Sequence, residues 1–260
     1  MPDNIEIVAH DPDCIRLLQI TDTHIFESDD ADFDGVDTSA SLKAVIKAVT
    51  EKEKQSDMVL VTGDLVHDPV VEAYSKLLVL LQELNAPTFC LAGNHDDPDL
   101  MHSTLNHTNV HTSKIINTEF WNIILLDSFL KDSHSGRLQA QELEFLNQSL
   151  EEMGDKHVLL AIHHPLVSIG SVWMDAMSLQ NPQDVFSILD RHANVKGVIW
   201  GHNHQEFRAN RDGLILYGSA STCVQFKPHS EHYIKDHLAP AYSVLLLHKD
   251  GRIEITSRRV

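Results

Sequence analysis

The chain has 260 residues, 42% of them hydrophobic, which is enough to bury a sizeable core in one large domain or two small ones. Asp and Glu number 38 against 20 Lys and Arg, and the formal charge of -18 means that the surface as a whole repels nucleic acid and anionic membranes. The apolar runs are far shorter than the roughly 20 residues that span a bilayer. From the charge and the length of these runs together, we expect neither nucleic acid nor a membrane as a partner.

The cysteines and the opening residues predict the compartment. Met1 to His10 is polar and acidic and lacks the basic region and apolar run of a signal peptide. Cys14, Cys90 and Cys223 are an odd number at wide spacing, each in or beside an apolar run. This pattern favours buried thiols in a reducing compartment over a disulfide framework. We therefore predict a cytoplasmic protein.

Short apolar runs alternate with helix-like stretches along most of the chain, which is typical of an α/β fold. Strands are predicted at 15–20, 58–62, 88–92, 122–127, 158–162 and 198–200, and helices at 41–54, 71–84, 137–152 and 184–191. From residue 214 the pattern becomes β, with strands at 214–217, 242–248 and 252–257. The last two are joined by Asp250-Gly251, a strong hairpin signal.

No repeat, low-complexity tract or Gly/Ser/Pro linker divides the chain. We predict a single domain over residues 1–260, with a core at about 14–205 and a β-rich C-terminal part at about 206–260. The acidic stretch Ser28 to Asp37 is predicted to be a solvated loop. Most histidines outside the blocks described next, among them His67 and His134, are predicted to be surface or packing residues.

Polar residues suited to binding metal follow five of the predicted strands directly. They are Asp22 and His24, Asp64, Asn94 with His95, His163 with His164 beside it, and His202 with His204. In α/β sheets the C-terminal edge is where ligands bind, because loops there aim side chains inward from a rigid platform. One Asp-x-His is weak evidence, but five such blocks in one chain predict a metal site.

The residue types predict a pair of ions with one shared carboxylate, because a carboxylate can bridge two cations while imidazole and amide groups bind one each. We assign Asp22, His24, Asp64 and His204 to one ion, and Asp64, Asn94, His163 and His202 to the other. Two ions side by side would activate a bridging hydroxide and neutralise a phosphoryl group. Mixed oxygen and nitrogen ligands suit two divalent or mixed-valence ions, with iron and manganese favoured and zinc or cobalt as alternatives.

His95 is left over from coordination although it adjoins the ligand Asn94. We predict that His95 stabilises the transition state or protonates the departing alkoxide as a general acid. Asp96 is the candidate for orienting its ring.

The blocks Asp22-Thr23-His24, Gly63-Asp64, Gly93-Asn94-His95-Asp96, His163-His164-Pro165 and Gly201-His202-Asn203-His204 resemble those of the calcineurin-like metallophosphoesterase superfamily. The stretches 18–24, 173–181 and 221–228 further resemble the bacterial class III 3',5'-cyclic AMP phosphodiesterases. The resemblance implies a four-layer α/β/β/α sandwich with a dimetal site at the C-terminal ends of the strands. It also implies that His163, and not His164, binds metal.

The same resemblance implies hydrolysis of 3',5'-cyclic AMP to 5'-AMP, with His24, Asn94, His95 and His204 touching the substrate phosphate. Residues 173–181 and 225–237 are candidates for the nucleoside side of the pocket, where Trp173 either stacks on adenine or fixes a loop. Residues 221–228 either serve the substrate or form only a core strand and turn. The alternatives are another phosphodiesterase or pyrophosphatase, acting on a glycerophosphodiester or a nucleotide-sugar lipid, or a non-catalytic scaffold on the same fold. The sequence leaves the oligomeric state open.

Overall fold

A computed structural model describes residues 4–260. The first three residues of the stretch predicted to lack a signal peptide therefore lie outside the described part. The helices are α1 (Thr38–Lys52), α2 (Val71–Leu81), α3 (Pro98–Leu105), α4 (Ala140–Glu152), α5 (Val172–Asp175) and α6 (Pro182–Leu189). Among the described residues, no helix combines the length and the apolar character that crossing a bilayer requires.

The strands form two large sheets and a short ribbon. In chain order they are β1 (Asn4–Glu6), β2 (Cys14–Ile20), β3 (Met58–Thr62), β4 (Thr88–Leu91), β5 (Val110–His111), β6 (Ile115–Asn117), β7 (Trp121–Leu125), β8 (His157–Ala161), β9 (Val195–Trp200), β10 (Phe207–Arg211), β11 (Leu214–Gly218), β12 (Gln225–Phe226), β13 (Lys235–Asp236), β14 (Ala241–His248) and β15 (Ile253–Arg259). Within residues 4–260, sheet A has the order β1-β6-β7-β8-β9-β11-β10 and sheet B the order β15-β14-β2-β3-β4-β5, while β12 pairs with β13.

Three apolar clusters show how the layers stack. One joins α1 and α2 to one face of sheet B, through side chains such as Leu42 and Val59. A second joins α4 and α6 to sheet A, through side chains such as Leu146 and Val198. The third lies between the two sheets and includes Leu60. The protein is therefore the four-layer α/β/β/α sandwich that the family resemblance implies.

The central strands are buried on both faces, which explains their continuous apolar sequences. All five residues of β3 (MVLVT) are buried between the helices and the facing sheet. Strands β2, β3 and β4 are parallel neighbours, as are β7, β8 and β9. Their C-terminal ends therefore meet at one edge of the sandwich.

The β-rich C-terminal part completes both sheets. β14 pairs antiparallel with β2 in sheet B, whereas β11 pairs parallel with β9 in sheet A. The Asp250-Gly251 turn joins β14 to β15 as predicted. Helix α3 has no counterpart among the predicted elements, although its sequence carries the signals: Asp97 caps the helix by accepting from the Leu100 amide at 3.0 Å, and Pro98 occupies its first turn.

Candidate metal centre

The predicted ligands come together at the edge where both sheets end. Sheet B supplies Asp22 and His24 after β2, Asp64 after β3, and Asn94 after β4. Sheet A supplies His163 after β8, and His202 and His204 after β9. Gln19 ties the sheets together just below the site, because its side-chain amide donates to the Trp200 carbonyl at 3.0 Å and to Thr62 Oγ1 at 2.9 Å.

The residues assigned to the first ion form one tight group. The ligand atoms of Asp22, His24, Asp64 and His204 all lie within 4.8 Å of one another. Nε2 of His24 is 3.2 Å from Nε2 of His204 and 3.6 Å from Oδ2 of Asp64. Nε2 of His204 is 3.5 Å from Oδ1 of Asp22. These distances suit four groups that face one cation.

Asp64 also faces the residues assigned to the second ion. Its Oδ1 lies 3.3 Å from Nε2 of His163, which is in turn 3.3 Å from Oδ1 of Asn94. The His202 ring lies 5.1 Å from the His163 ring, centroid to centroid. One oxygen of Asp64 thus points towards each half of the site, the arrangement required of a bridging carboxylate.

Hydrogen bonds distinguish the adjacent residues His163 and His164 as candidate metal ligands. His163 donates Nδ1–H to the Thr62 carbonyl at 2.8 Å and turns Nε2 to Asp64. His164 uses both nitrogens elsewhere, since Nδ1 accepts from the Ser128 hydroxyl at 2.7 Å and Nε2 donates to the His134 carbonyl at 3.2 Å. A metal could bind His164 only if one of those bonds broke, so the geometry favours His163.

The chemistry of the donors fits metal binding. Ligating histidines usually donate their second ring N–H to a carbonyl, which fixes the ring and leaves the other nitrogen bare. His163 does so to Thr62, and His204 does so to Val224 at 2.7 Å. In addition, Oδ2 of Asp22 and Nε2 of His202 are buried and find no hydrogen-bond partner among the described residues. A cation would satisfy both atoms.

Burial controls the protonation of the cluster. It lowers the pKa of His202 to about 3 and that of His204 to about 4, so both rings are neutral near pH 7. Burial raises the pKa of Asp22 to about 8. Burial alone would also lower the pKa of His163, but the Asp64 and Asp22 carboxylates raise that pKa to about 9. Since ligands must lose such protons, metal binding should release protons from this site.

The backbone is strained where the ligands sit. Five of them have positive φ angles: Asp22 (55°), His24 (44°), Asp64 (49°), His202 (66°) and His204 (47°). A residue with a Cβ adopts this left-handed conformation at a cost of about 1 kcal/mol or more, and such strain concentrates at functional sites. Regular structure gives no reason for five such residues to meet at one point, whereas converging ligands do.

Gly93 lets two of the blocks approach closely. A Cβ at this position would lie 2.2 Å from Oδ1 of Asp64, so any larger residue would displace the carboxylate. The turn that follows is held by the same oxygen, which accepts from the His95 amide at 2.9 Å. The Gly-Asn-His sequence thus places Asn94 and His95 against the shared ligand.

His95 lies at the rim of the site, with its ring 4.8 Å from the His24 ring. Its Nδ1–H donates to the His67 carbonyl at 2.9 Å, so Nε2 is the nitrogen free to exchange a proton. The prediction that Asp96 orients His95 is wrong. The Asp96 carboxylate instead accepts from the amides of Gly93 (2.7 Å) and Leu65 (3.1 Å) and from the Tyr74 hydroxyl (3.0 Å).

Two histidines predicted to be surface or packing residues lie beside the site. The His67 ring is 5.0 Å from the His95 ring and 5.4 Å from the His24 ring. His134 Nδ1 accepts from the Asn94 amide at 3.4 Å. The position of His67 three residues after Asp64 was an available signal, whereas nothing local to His134 indicated its place.

Residues 221–228 support the ligands from behind. The hydroxyl of Ser221 and the thiol of Cys223 donate to the Asp22 carbonyl, each at 3.1 Å, and Val224 accepts from His204. Trp173 lies farther out and donates its Nε1–H to Ser230 at 3.1 Å. Residues 221–224 therefore lie behind the predicted ligands, and the bond from Trp173 to Ser230 fits the alternative in which Trp173 fixes a loop.

Comparison with known proteins agrees with this geometry. Residues 15–206 match the calcineurin-like phosphoesterase family. The chain belongs to this family. The match covers all the blocks from Asp22 to His204, and family membership implies a dinuclear divalent metal centre, for which the His and Asp cluster supplies the ligands.

Two relatives cover nearly the whole length. The chain is 37% identical to the "3',5'-cyclic adenosine monophosphate phosphodiesterase CpdA" of Pseudomonas aeruginosa, over 95% of this chain and 90% of the relative. It is 38% identical to a 3',5'-cyclic-nucleotide phosphodiesterase of a Nostoc species, over 91% of this chain and 89% of the relative. A dimetal phosphatase from Danio rerio shares the fold, with a TM-score of 0.63 at 15% identity, and covers 94% of this chain and 98% of its own.

We expect Asp96→Asn to destabilise the turn that carries Asn94 and His95. In the wild-type protein both oxygens of Asp96 accept hydrogen bonds, whereas the amide of Asn would turn a donor towards some of the backbone N–H groups. The free energy of unfolding should therefore fall by about 1 to 3 kcal/mol. Urea denaturation of the metal-free protein measures this loss directly. Asp99→Asn, at an exposed residue of the neighbouring helix, is the matched control. Equal stability of the two variants would contradict the role given to Asp96.

Proposed function

We propose that the protein hydrolyses 3',5'-cyclic AMP to 5'-AMP in a metal-dependent reaction. The observation that carries this proposal is the Asp64 carboxylate, which turns one oxygen to each of two ligand groups that together contain a second carboxylate, an amide and four imidazoles. The family match and the cyclic nucleotide phosphodiesterases among its relatives support a phosphodiester as the substrate class.

The ligand groups define the metal set. Asp22, His24, Asp64 and His204 would hold one ion, and Asp64, Asn94, His163 and His202 the other. Two divalent or mixed-valence ions there, iron or manganese by preference and zinc or cobalt as alternatives, would supply Lewis-acid activation of water and neutralise phosphoryl charge. The buried, neutral rings of His202 and His204 are ready to ligate at pH 7 without first losing a proton.

His95 would act as the general acid. Opening the cyclic phosphate to a 5'-monophosphate breaks the bond between phosphorus and O3', and that oxygen leaves with a negative charge unless it receives a proton. Because Nδ1–H is committed to the His67 carbonyl, the proton would pass from Nε2 to O3'. The protonated ring would also stabilise the charge that develops on the phosphoryl oxygens.

The remaining assignments concern the substrate and the compartment. By resemblance to the family, His24, Asn94, His95 and His204 would contact the substrate phosphate. The three cysteines are free and two of them are buried. Free thiols fit a reducing compartment, and we place the protein in the cytoplasm with a small cyclic nucleotide as its partner.

Steady-state kinetics with manganese on the purified protein tests the proposed substrate. We expect kcat/KM for 3',5'-cyclic AMP to exceed that for a 2',3'-cyclic nucleotide and for a glycerophosphodiester, because the relatives at 37% and 38% identity are named for 3',5'-cyclic nucleotides. Cyclic GMP is the matched control for the base. A higher kcat/KM for the glycerophosphodiester would contradict the proposal while leaving the metal centre intact.

Substitution of His95 should separate catalysis from metal binding. We expect His95→Ala to keep both metal ions and to lower kcat for cyclic AMP by about a hundredfold or more, because the ring acts on the leaving oxygen and not on the metal. An activated aryl diester, whose leaving group needs no proton, should lose less. His202→Ala is the contrasting variant and should lose metal and activity together, as measured by elemental analysis. Full activity of His95→Ala on both substrates would exclude the acid role.

A further inference from the structure

An aromatic ring outside the ligand set lies against the first half of the metal centre. The Phe33 ring meets the His24 ring edge-on at 4.8 Å and lies 5.9 Å from the His204 ring. The His67 ring is 5.2 Å away on another side. Phe33 is only partly buried, so it presents apolar surface beside the histidines expected to touch the substrate phosphate. The acidic stretch Ser28–Asp37 is therefore not simply the solvated loop that its sequence predicts.

A tight turn sets the direction of Phe33. Phe33 and Val36 exchange two backbone hydrogen bonds of 3.0 Å. The two residues between them, Asp34 and Gly35, have φ angles of 50° and 75°. A two-residue turn with both φ angles positive is the turn that matches the twist of a hairpin, and Asp-Gly is a favoured sequence for it.

The turn is held from the far end of the chain. The Tyr233 hydroxyl donates to Oδ2 of Asp34 at 2.5 Å, and the Lys235 amine donates to the Asp34 carbonyl. The Tyr233 ring packs edge-on against the Phe226 ring at 5.2 Å. Phe226 in turn stacks on His204, with ring centroids 4.1 Å apart and planes 6° from parallel.

These contacts form a closed circuit around one side of the site. It runs through His24, Phe33, Asp34, Tyr233, Phe226 and His204, and closes through the 3.2 Å approach of His204 to His24. The start of the loop is fixed as well, because the Lys76 amine donates to the carbonyls of Phe26 (3.1 Å) and Glu27 (2.7 Å). Phe33 is thus held at both ends of its loop and is in place before any ligand arrives, which reduces the entropic cost of binding.

We propose that Phe33 is the specificity-determining contact for the nucleoside portion of the substrate, and that Asp34 and Tyr233 are positioning residues that hold it there. This inference rests on the proposed function, since it concerns the same site. With the cyclic phosphate on His24 and His204, the fused ribose and the planar base must leave the metal centre along an adjoining wall. Phe33 is a partly exposed aromatic ring that packs against both of those histidines, and aromatic rings hold nucleosides by stacking and apolar contact.

The test compares two cyclic diesters that differ only beyond the phosphate ring. Cyclic AMP carries the nucleoside, whereas the six-membered cyclic phosphate of propane-1,3-diol lacks ribose and base. We expect Phe33→Ala to raise KM for cyclic AMP about tenfold or more, the scale of a lost stacking contact, with kcat nearly unchanged. Its kcat/KM for the propanediol diester should stay at the wild-type value. Phe33→Leu keeps apolar volume in the loop, and its KM for cyclic AMP should lie between those of the wild type and Phe33→Ala. This variant keeps the inference testable if Phe33→Ala does not fold.

The positioning role has its own readout. Tyr233→Phe removes one hydroxyl but keeps the ring and its packing. This substitution should also raise KM for cyclic AMP. Because the hydroxyl acts through Phe33, the double variant Phe33→Ala/Tyr233→Phe should be no worse than Phe33→Ala alone. Asp30→Asn is the control for charge in the loop. Phe120→Ala, which removes a partly buried ring just before β7 and so at the opposite edge of the sheet, is the control for ring loss.

The outcomes separate this inference from the proposed function. If the wild-type protein does not hydrolyse cyclic AMP, the proposed function fails. If the wild-type protein hydrolyses cyclic AMP but Phe33→Ala lowers kcat/KM equally for both diesters, or for neither, the inference alone is overturned. Additive effects of Phe33→Ala and Tyr233→Phe would overturn the positioning role of Tyr233.

Discussion

The site depends on burying two carboxylates side by side where two sheets end. Asp22 and Asp64 are 0% and 3% exposed, and ionising both carboxylates there is unfavourable unless positive charge lies between or beside them. Burial raises the pKa of Asp22 to about 8, and the two carboxylates raise the pKa of His163 to about 9. Burial lowers the pKa values of His24, His202 and His204 and keeps these rings neutral. Two cations are the groups that would complete this arrangement, so the same burial that costs stability in the metal-free protein creates affinity for metal.

The rest of the fold serves to keep that arrangement in place. Parallel strands in both sheets deliver the ligands to one edge, and Gln19 bonds the two sheets to each other directly beneath it. The left-handed residues among the ligands are tolerated because tertiary contacts hold them, such as the Ser221 hydroxyl on the Asp22 carbonyl, 199 positions apart in sequence. The C-terminal part therefore supports the site structurally, although no predicted metal ligand lies in it.

The sequence predicted the parts of this structure that depend on local pattern. Buried strands such as Met58–Thr62 are continuous apolar runs, and polar residues such as Asp64 follow them directly, so both the sheets and the ligand blocks could be recognised. The four-layer sandwich came from the family resemblance, because apolar periodicity does not say which sheet a strand joins. The short strands β5, β12 and β13 escaped prediction because two residues carry no periodicity. The places of His134 and Phe33 are set by contacts across the fold, and Tyr233 reaches Asp34 from 199 residues away.

Anomalous scattering from crystals of the active, manganese-loaded protein would show whether two ions share Asp64. We predict two ions per chain about 3.5 to 4 Å apart, with one oxygen of Asp64 on each and with Nε2 of His163 on the ion that does not bind His204. A single ion, or a pair in which Asp64 binds only one member, would contradict this prediction.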